Sequence, residues 1–453
     1  MKNMNIKNRN ILVLGGGVSG IASAAFLCAK GAVVTLADNK KREQVSDKVL
    51  ALEAKGVKLH LGGMPDDVTS YDLAVISPGI PLDVPISLKL KEANVPIVGE
   101  LELAYMFSHN PYLAITGTNG KTTTTTLVGY ILEKAGVNRI VGGNIGTPLV
   151  ERVEALSDDA YIVAEVSSFQ LETTTDFRPK AAAYLNLTPD HMNRHYTMEN
   201  YGNIKAKIFA NQDETDVAVL NYDDEVVRAY AETIKSDVFF FSRKAVLENG
   251  IYADSEKIYI ARNGKTEVLI DIDDIFIKGG HNVENVMAAS AIAYSIGISA
   301  ADIKESLITF RGVEHRQEYV REKDGVLYVN DSKGTNPDST LQALLAYDRP
   351  MVLILGGYNK DSSFDSLMPL IKEKVRKVII LGETSEIIKD TLIRHGYDKY
   401  AMADRDFEKA VSLAVEAAQS GDVVMLSPAC ASWDMFKCFE DRGDLFKKLV
   451  NEL

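Results

Sequence analysis

Apolar residues in this chain gather in short runs, each followed at once by a polar, often glycine-rich stretch. Residues 11–14, 33–37, 73–76 and 96–98 form a first group. Residues 112–115, 139–141, 161–164, 183–187 and 217–220 form a second, and residues 326–329, 352–355, 377–381 and 423–426 a third. Runs that are apolar throughout, without strict alternation, read as strands buried on both faces of a parallel sheet. Helix-compatible stretches separate them, so the pattern predicts an α/β protein. It divides into a Rossmann-like N-terminal domain (1–108), a central P-loop-type mononucleotide-binding sheet (109–311) and a C-terminal Rossmann-like domain (312–453). Residues 237–274 switch to short alternating segments and predict a small antiparallel excursion.

In parallel sheets the loops at the carboxyl ends of the strands share one edge, where ligands bind. The first such loop, Gly15-Gly16-Gly17-Val18-Ser19-Gly20, matches the dinucleotide fingerprint, and Asp38 follows at nearly the expected distance. A nicotinamide-dependent dehydrogenase is the direct reading. The turn suits any pyrophosphate, however, and Asp38, Asn39 and Lys40 can equally face another nucleoside. A purely structural glycine turn is the third reading. Ser77-Pro78-Gly79 forms a second loop on this edge.

The organising stretch is Thr116-Gly117-Thr118-Asn119-Gly120-Lys121-Thr122-Thr123, between an apolar strand and a helix-compatible run. Backbone N–H groups of such a turn converge on a phosphate, helped by the helix dipole. Lys121 is placed to reach the β/γ-phosphates and Thr122 to ligate Mg²⁺. The usual P-loop begins with a glycine where this chain has Ile115, so the match is partial. On the same edge the pattern brings together Lys121, Thr122, Asn144, Glu165 and His191. Asn282 and Asn285 open a helix and suit a purine, although Asn282 serves equally well as an N-cap. In the third group Thr335, Lys360 and Ser432 form a candidate carboxylate-binding set.

Composition narrows the choice. The net charge of −13 argues against broad nucleic-acid binding, while leaving local cationic sites for small anions. Three cysteines, none in a Cys-x-x-Cys pair, point to a reducing compartment. No secretory h-region or membrane-length apolar run is evident, so a cytoplasmic location is expected, with no membrane partner.

The motifs resemble those of the Mur ligases of bacterial peptidoglycan synthesis over nearly the whole chain. The resemblance rests on the 116–122 loop, Glu165-Val166-Ser167-Ser168-Phe169-Gln170-Leu171, Asn186-Leu187-Thr188-Pro189-Asp190-His191, Gly280-His281-Asn282 with Asn285, and His315-Arg316. Asn330-Asp331-Ser332-Lys333-Gly334-Thr335-Asn336 and Ser427-Pro428-Ala429-Cys430-Ala431-Ser432 resemble the D-glutamate-adding members. An L-alanine-adding relative is the nearest alternative, since it too has a glycine-rich N-terminal domain. The resemblance implies an ATP-dependent ligase acting on UDP-N-acetylmuramoyl-L-alanine and D-glutamate through an acyl phosphate. A monomer is expected, although the sequence does not itself give the oligomeric state.

The resemblance also implies roles. Gly17, Val18, Ser19, Asp38, Asn39, Ser77, Pro78, Gly79, Asn144, Ser167 and His191 would hold the UDP-substrate. Gly117, Thr118, Asn119, Gly120, Lys121, Thr122, Thr123, Asn282, Asn285, Arg316 and Asp331 would hold ATP. Thr122, Glu165, His191 and a carbamylated Lys205 would ligate two Mg²⁺, with Lys205 favoured over Lys207 by its spacing to Ile208-Phe209. Lys333, Thr335, Lys360, Ser432 and Phe439 would surround D-glutamate, with core packing an equal reading for Phe439 and Trp433.

Overall fold

The computed structural model describes residues 4–358 and 363–453. The chain forms two compact units, Met1–Asp274 with Glu284–Ile308, and Ile275–Val283 with Thr309–Leu453. Three sheets are present among the described residues. The first two lie in the first unit and the third in the second.

The N-terminal sheet runs in the order Lys58–Leu61, Val33–Asp38, Asn10–Leu14, Leu73–Ile76, Ile97–Gly99, and all its pairings are parallel. Strand order reverses between Asn10–Leu14 and Leu73–Ile76. The loops that begin at Gly15 and Ser77 are therefore neighbours at a switch point, the usual crevice of such sheets. Gly20 is required there: a Cβ would lie 1.9 Å from the Gly15 carbonyl oxygen, so no other residue lets the helix Val18–Ala29 approach its own strand.

The central sheet has nine strands. Tyr112–Thr116 lies between Ala181–Tyr184 and Tyr161–Glu165, with every residue of Tyr112–Thr116 and of Ala181–Tyr184 buried. That burial explains the unbroken apolar run into the phosphate loop. The strand expected over residues 183–187 ends earlier, at Tyr184, because Asn186 turns its side chain to the phosphate loop. Antiparallel pairing over residues 237–274 is confined to the last part. Asp237–Ser242 and Gly250–Ala253 pair parallel, and Lys257–Arg262 then pairs antiparallel with Gly250–Ala253 on one side and Lys265–Asp271 on the other.

The sheet of the second unit has the order Glu318–Lys323, Val326–Asn330, Val423–Leu426, Met351–Gly356, Val375–Leu381, Tyr400–Asp404. Only its first strand is antiparallel. Adjacency of Val326–Asn330 to Val423–Leu426 brings the loop after Asn330 beside the loop after Leu426. No helix among the described residues is long and apolar enough to cross a membrane.

Candidate active site

The phosphate loop sits at the carboxyl end of Tyr112–Thr116 and leads into the helix Lys121–Lys134. Gly120 caps that helix with a left-handed backbone (φ +83°), and a Cβ there would come within 2.2 Å of Asn285 Oδ1. Both the turn and the closeness of Asn285 therefore demand glycine. Asn186 braces the loop: its Oδ1 accepts from the N–H groups of Thr118 (3.1 Å) and Asn119 (2.9 Å), and its Nδ2 donates to Asn119 O (3.1 Å). Lys121 folds back over the loop, donating to Gly117 O at 2.9 Å and Thr118 O at 2.6 Å. Thr122 and Thr123 are buried in the first helical turn.

Glu165 ends the adjacent strand and is buried. Its Oε1 accepts from Asn144 Nδ2 at 2.8 Å, while Oε2 is buried without a hydrogen-bond partner. A buried carboxylate oxygen left unpaired is costly unless a cation takes it. Together with the Thr122 hydroxyl it offers the hard oxygen donors that suit Mg²⁺, so these residues fit such an ion. His191 opens a short helix with a left-handed backbone (φ +54°), and its ring packs 4.8 Å from that of Phe169.

Lys205 is 1% exposed. Its Nζ donates to Gly117 O at 2.7 Å and lies 4.6 Å from the Tyr201 ring centre. Burial first, then the neighbouring Lys121 charge, push its pKa far below that of a free lysine, and Asp190 and Glu165 pull it only partly back. Lys207 donates instead to Glu172 O at 3.0 Å, so only Lys205 of the pair reaches the phosphate loop.

The sequence did not single out His195. It is fully buried, accepts from or donates to Ser168 Oγ at 2.9 Å, and stacks on Tyr201 at 4.8 Å. It thus packs on the same Tyr201 ring that Lys205 approaches. Ser167 is occupied locally as an N-cap, accepting from Gln170 N at 3.3 Å in a capping box.

In the N-terminal sheet the Gly15–Gly20 turn meets Ser77, whose hydroxyl donates to Gly15 O at 3.3 Å. Val18, at the start of the helix that follows the turn, is 72% exposed. Asp38 accepts from Gly16 N (2.7 Å) and Lys40 N (2.8 Å), so its carboxylate shapes the turn itself. A cavity of about 440 Å³ opens beside it, lined by Asn39, Met64, Asp66, Gly79, Ile80 and Lys89.

In the second unit Asp331 is fully buried. Burial raises its carboxyl to about 6, against the pull of Arg316, Ser427 and Gln317. Ser427 Oγ donates to it at 2.7 Å, and Arg316 Nη1 lies 3.9 Å away. Lys333 Nζ lies 5.4 Å from the Phe439 ring centre. Phe439 is half-buried and Trp433 is 63% exposed, so core packing does not describe either. Ser432 is buried at the end of its loop. Lys360 lies outside the described residues. Asn282 falls inside the helix Gly280–Ser295, where its Nδ2 donates to Lys278 O at 2.8 Å, so it is not an N-cap. Asn285 Oδ1 accepts from Thr124 Oγ1 at 3.3 Å.

The features of the first unit define a nucleotide-binding α/β protein in which a buried lysine reaches the phosphate loop and a buried acid ends the adjacent strand. Residues 9–99 match the Mur ligase MurD-like N-terminal domain, residues 115–293 the Mur ligase middle domain, and residues 315–430 the Mur ligase glutamate ligase domain. The chain belongs to the Mur ligase family. It is 49% identical over 447 residues to a UDP-N-acetylmuramoylalanine–D-glutamate ligase of Pelotomaculum thermopropionicum, covering 98% of each chain. It is 46% identical to the protein of that name from Clostridioides difficile, covering 99% of this chain and 100% of the relative. Its fold is similar to the crystal structure of UDP-N-acetylmuramate-alanine ligase MurC from Thermotoga maritima, at 18% identity and a TM-score of 0.62, covering 98% and 99% of the two chains.

Proposed function

We propose that this protein is a cytoplasmic, monomeric, ATP-dependent ligase that joins D-glutamate to UDP-N-acetylmuramoyl-L-alanine in peptidoglycan precursor synthesis. The observation that carries this reading is the meeting of Lys121 and Lys205 at the Gly117 carbonyl, with the buried, unpaired oxygen of Glu165 on the adjacent strand. The name borne by relatives of 46–49% identity supports the choice of substrates.

The domains are assigned as 1–108 for the UDP-substrate, 109–311 for ATP and 312–453 for the amino acid. Gly17, Val18, Ser19, Asp38, Asn39, Ser77, Pro78 and Gly79 take the nucleotide end of the substrate. Asn144, Ser167 and His191 take its muramoyl end. Residues 117–123 bind the ATP phosphates, and Asn282, Asn285, Arg316 and Asp331 the rest of ATP. Lys333, Thr335, Lys360, Ser432 and Phe439 bind D-glutamate.

A substrate carboxylate oxygen attacks the γ-phosphorus, the bond to ADP breaks, and an acyl phosphate forms. The amine of D-glutamate then attacks the acyl carbon, loses a proton and expels phosphate. Lys121 and the loop N–H groups stabilise charge on the transferring phosphoryl, and that electrostatic positioning is the larger part of such catalysis. Two Mg²⁺, held by Thr122, Glu165, His191 and a carbamylated Lys205, would neutralise phosphoryl charge when bound. A lysine with so low a pKa presents a free amine. It can attack CO₂, form an N–C bond and release a proton, leaving an anionic carbamate.

The test is phosphate release with ATP, UDP-N-acetylmuramoyl-L-alanine and a panel of amino acids. Release that depends on D-glutamate is expected. Equal release with UDP-N-acetylmuramate and L-alanine would overturn the choice of substrates.

A further inference from the structure

Arg442 is one of the largest fully buried side chains of the protein, at 1% exposure. It belongs to the helix Phe439–Asn451, one turn after Phe439. A buried guanidinium is normally paired with a carboxylate. Arg442 forms no such pair among the described residues. Every hydrogen bond it makes goes to a neutral oxygen: Ser332 Oγ at 3.0 Å, Ser332 O at 2.8 Å, Cys430 O at 3.2 Å and Ala431 O at 3.4 Å. Burial lowers its pKa to about 10, against the pull of Cys430, then Asp434 and Asp331, which leaves it charged at neutral pH.

The placement of these acceptors is informative. Ser332 precedes Lys333 and Thr335, and Cys430 and Ala431 precede Ser432. One fork therefore ties the two loops that carry the proposed amino-acid contacts. Ser332 Oγ also donates to Phe439 O at 2.8 Å, which joins Phe439, a further proposed contact, to the same knot. In a trans peptide the N–H points opposite to the C=O. The Ala431–Ser432 peptide thus turns its N–H away from the guanidinium that polarises its carbonyl. Gly357 lies against the far side of the fork: a Cβ there would be 3.3 Å from Arg442 Nη1 and 2.4 Å from Ala431 O.

We propose that Arg442 is the positioning residue of the amino-acid site, acting through Ser332, Cys430 and Ala431 to fix the spacing of Lys333, Thr335 and Ser432 and lending that site a buried positive charge that favours a dicarboxylate. This rests on the assignment of these loops to D-glutamate. The guanidinium does not touch the amino acid; it sets the loops that do. A lysine in its place keeps the charge but reaches fewer acceptors, whereas methionine keeps the bulk and loses both.

The test compares wild type, Arg442→Lys, Arg442→Met and Ser332→Ala in phosphate release, with KM and kcat measured separately for D-glutamate, D-glutamine, ATP and the UDP-substrate. Arg442→Met is expected to raise KM for D-glutamate by about 100-fold, with Arg442→Lys nearer 10-fold and Ser332→Ala smaller still. KM for ATP should move less than about twofold. The preference for D-glutamate over D-glutamine should fall by about 10-fold in Arg442→Met, a shift that a merely structural role would not cause. Ser332→Ala keeps the guanidinium buried and supplies the comparison if Arg442→Met does not fold. An unchanged D-glutamate KM in Arg442→Lys and Ser332→Ala overturns the proposal. So does a parallel rise for all substrates with the D-glutamate preference intact. A wild-type protein that ignores D-glutamate overturns the substrate assignment itself, and this inference with it.

Discussion

Lys205 in the first unit and Arg442 in the second are both cations buried to 1% exposure, and each lies beside a proposed anion-binding loop. They meet the cost of burial in opposite ways. Lys205 has one carbonyl acceptor, at Gly117, and its pKa falls far below the usual lysine range. Arg442 gathers four neutral oxygens around a planar fork and stays charged. An ammonium is a strongly hydrated point charge that sheds its proton when desolvated, whereas a guanidinium is delocalised and holds it. The first solution lowers the cost of losing the proton; the second keeps a permanent charge and makes a clamp. The residue types are therefore not exchangeable between the two positions.

Lys205→Arg is the strongest way to break the contrast. It installs a permanent charge where the proposed carbamate requires a free amine, and an arginine cannot form one. Activity is expected to fall by about 1000-fold, of the order seen when a preorganised charge-stabilising group is lost, while circular dichroism shows the fold intact. Phosphate release at a near wild-type rate would mean that Lys205 has no need to be neutral. Lys205→Ala should lose activity too, and a short carboxylate supplied in solution should restore part of it.

Much of this contrast was hidden in the sequence. The strands were legible because parallel strands buried on both faces are apolar throughout. The phosphate loop was legible because glycine is obligatory at a position such as Gly120. Lys205 was reached only through a resemblance: as a residue type it looks like Lys207, and only the fold tells which one faces Gly117. Asn186 was read as part of a strand, since nothing local shows that its amide serves Thr118 and Asn119 across the sheet. Arg442 was not singled out, because its acceptors come from loops far away in the chain.

A third buried group sharpens the rule from the other sign of charge. Glu100 is 2% exposed, accepts from Val150 N at 2.8 Å, and is raised by burial to about 7. Its folded pKa lies above its unfolded value of 4.5. The stability it contributes is therefore complete below pH 4.5 and is lost as pH rises through 7. The span corresponds to roughly 3 kcal/mol. Glu100→Gln keeps an acceptor for Val150 and cannot ionise. The difference in Tm between wild type and variant should change steadily from pH 5 to pH 8, with wild type losing ground as pH rises. A difference that stays flat over that range would show that Glu100 does not titrate there.

The smallest effect is expected where a count of ion pairs would look for a large one. Arg42 makes a two-point contact with Glu53, at 3.0 and 2.5 Å, with side chains 55% and 43% exposed. On paper this pair is better matched than anything Arg442 has. Water already solvates both partners when they separate, so little is lost. Arg42→Ala should leave Tm unchanged within measurement error, whereas Arg442→Met should lower it clearly, since it strands several buried carbonyl acceptors. Equal shifts in the two variants would mean that the number of charged partners, and not burial, ranks the cations of this protein.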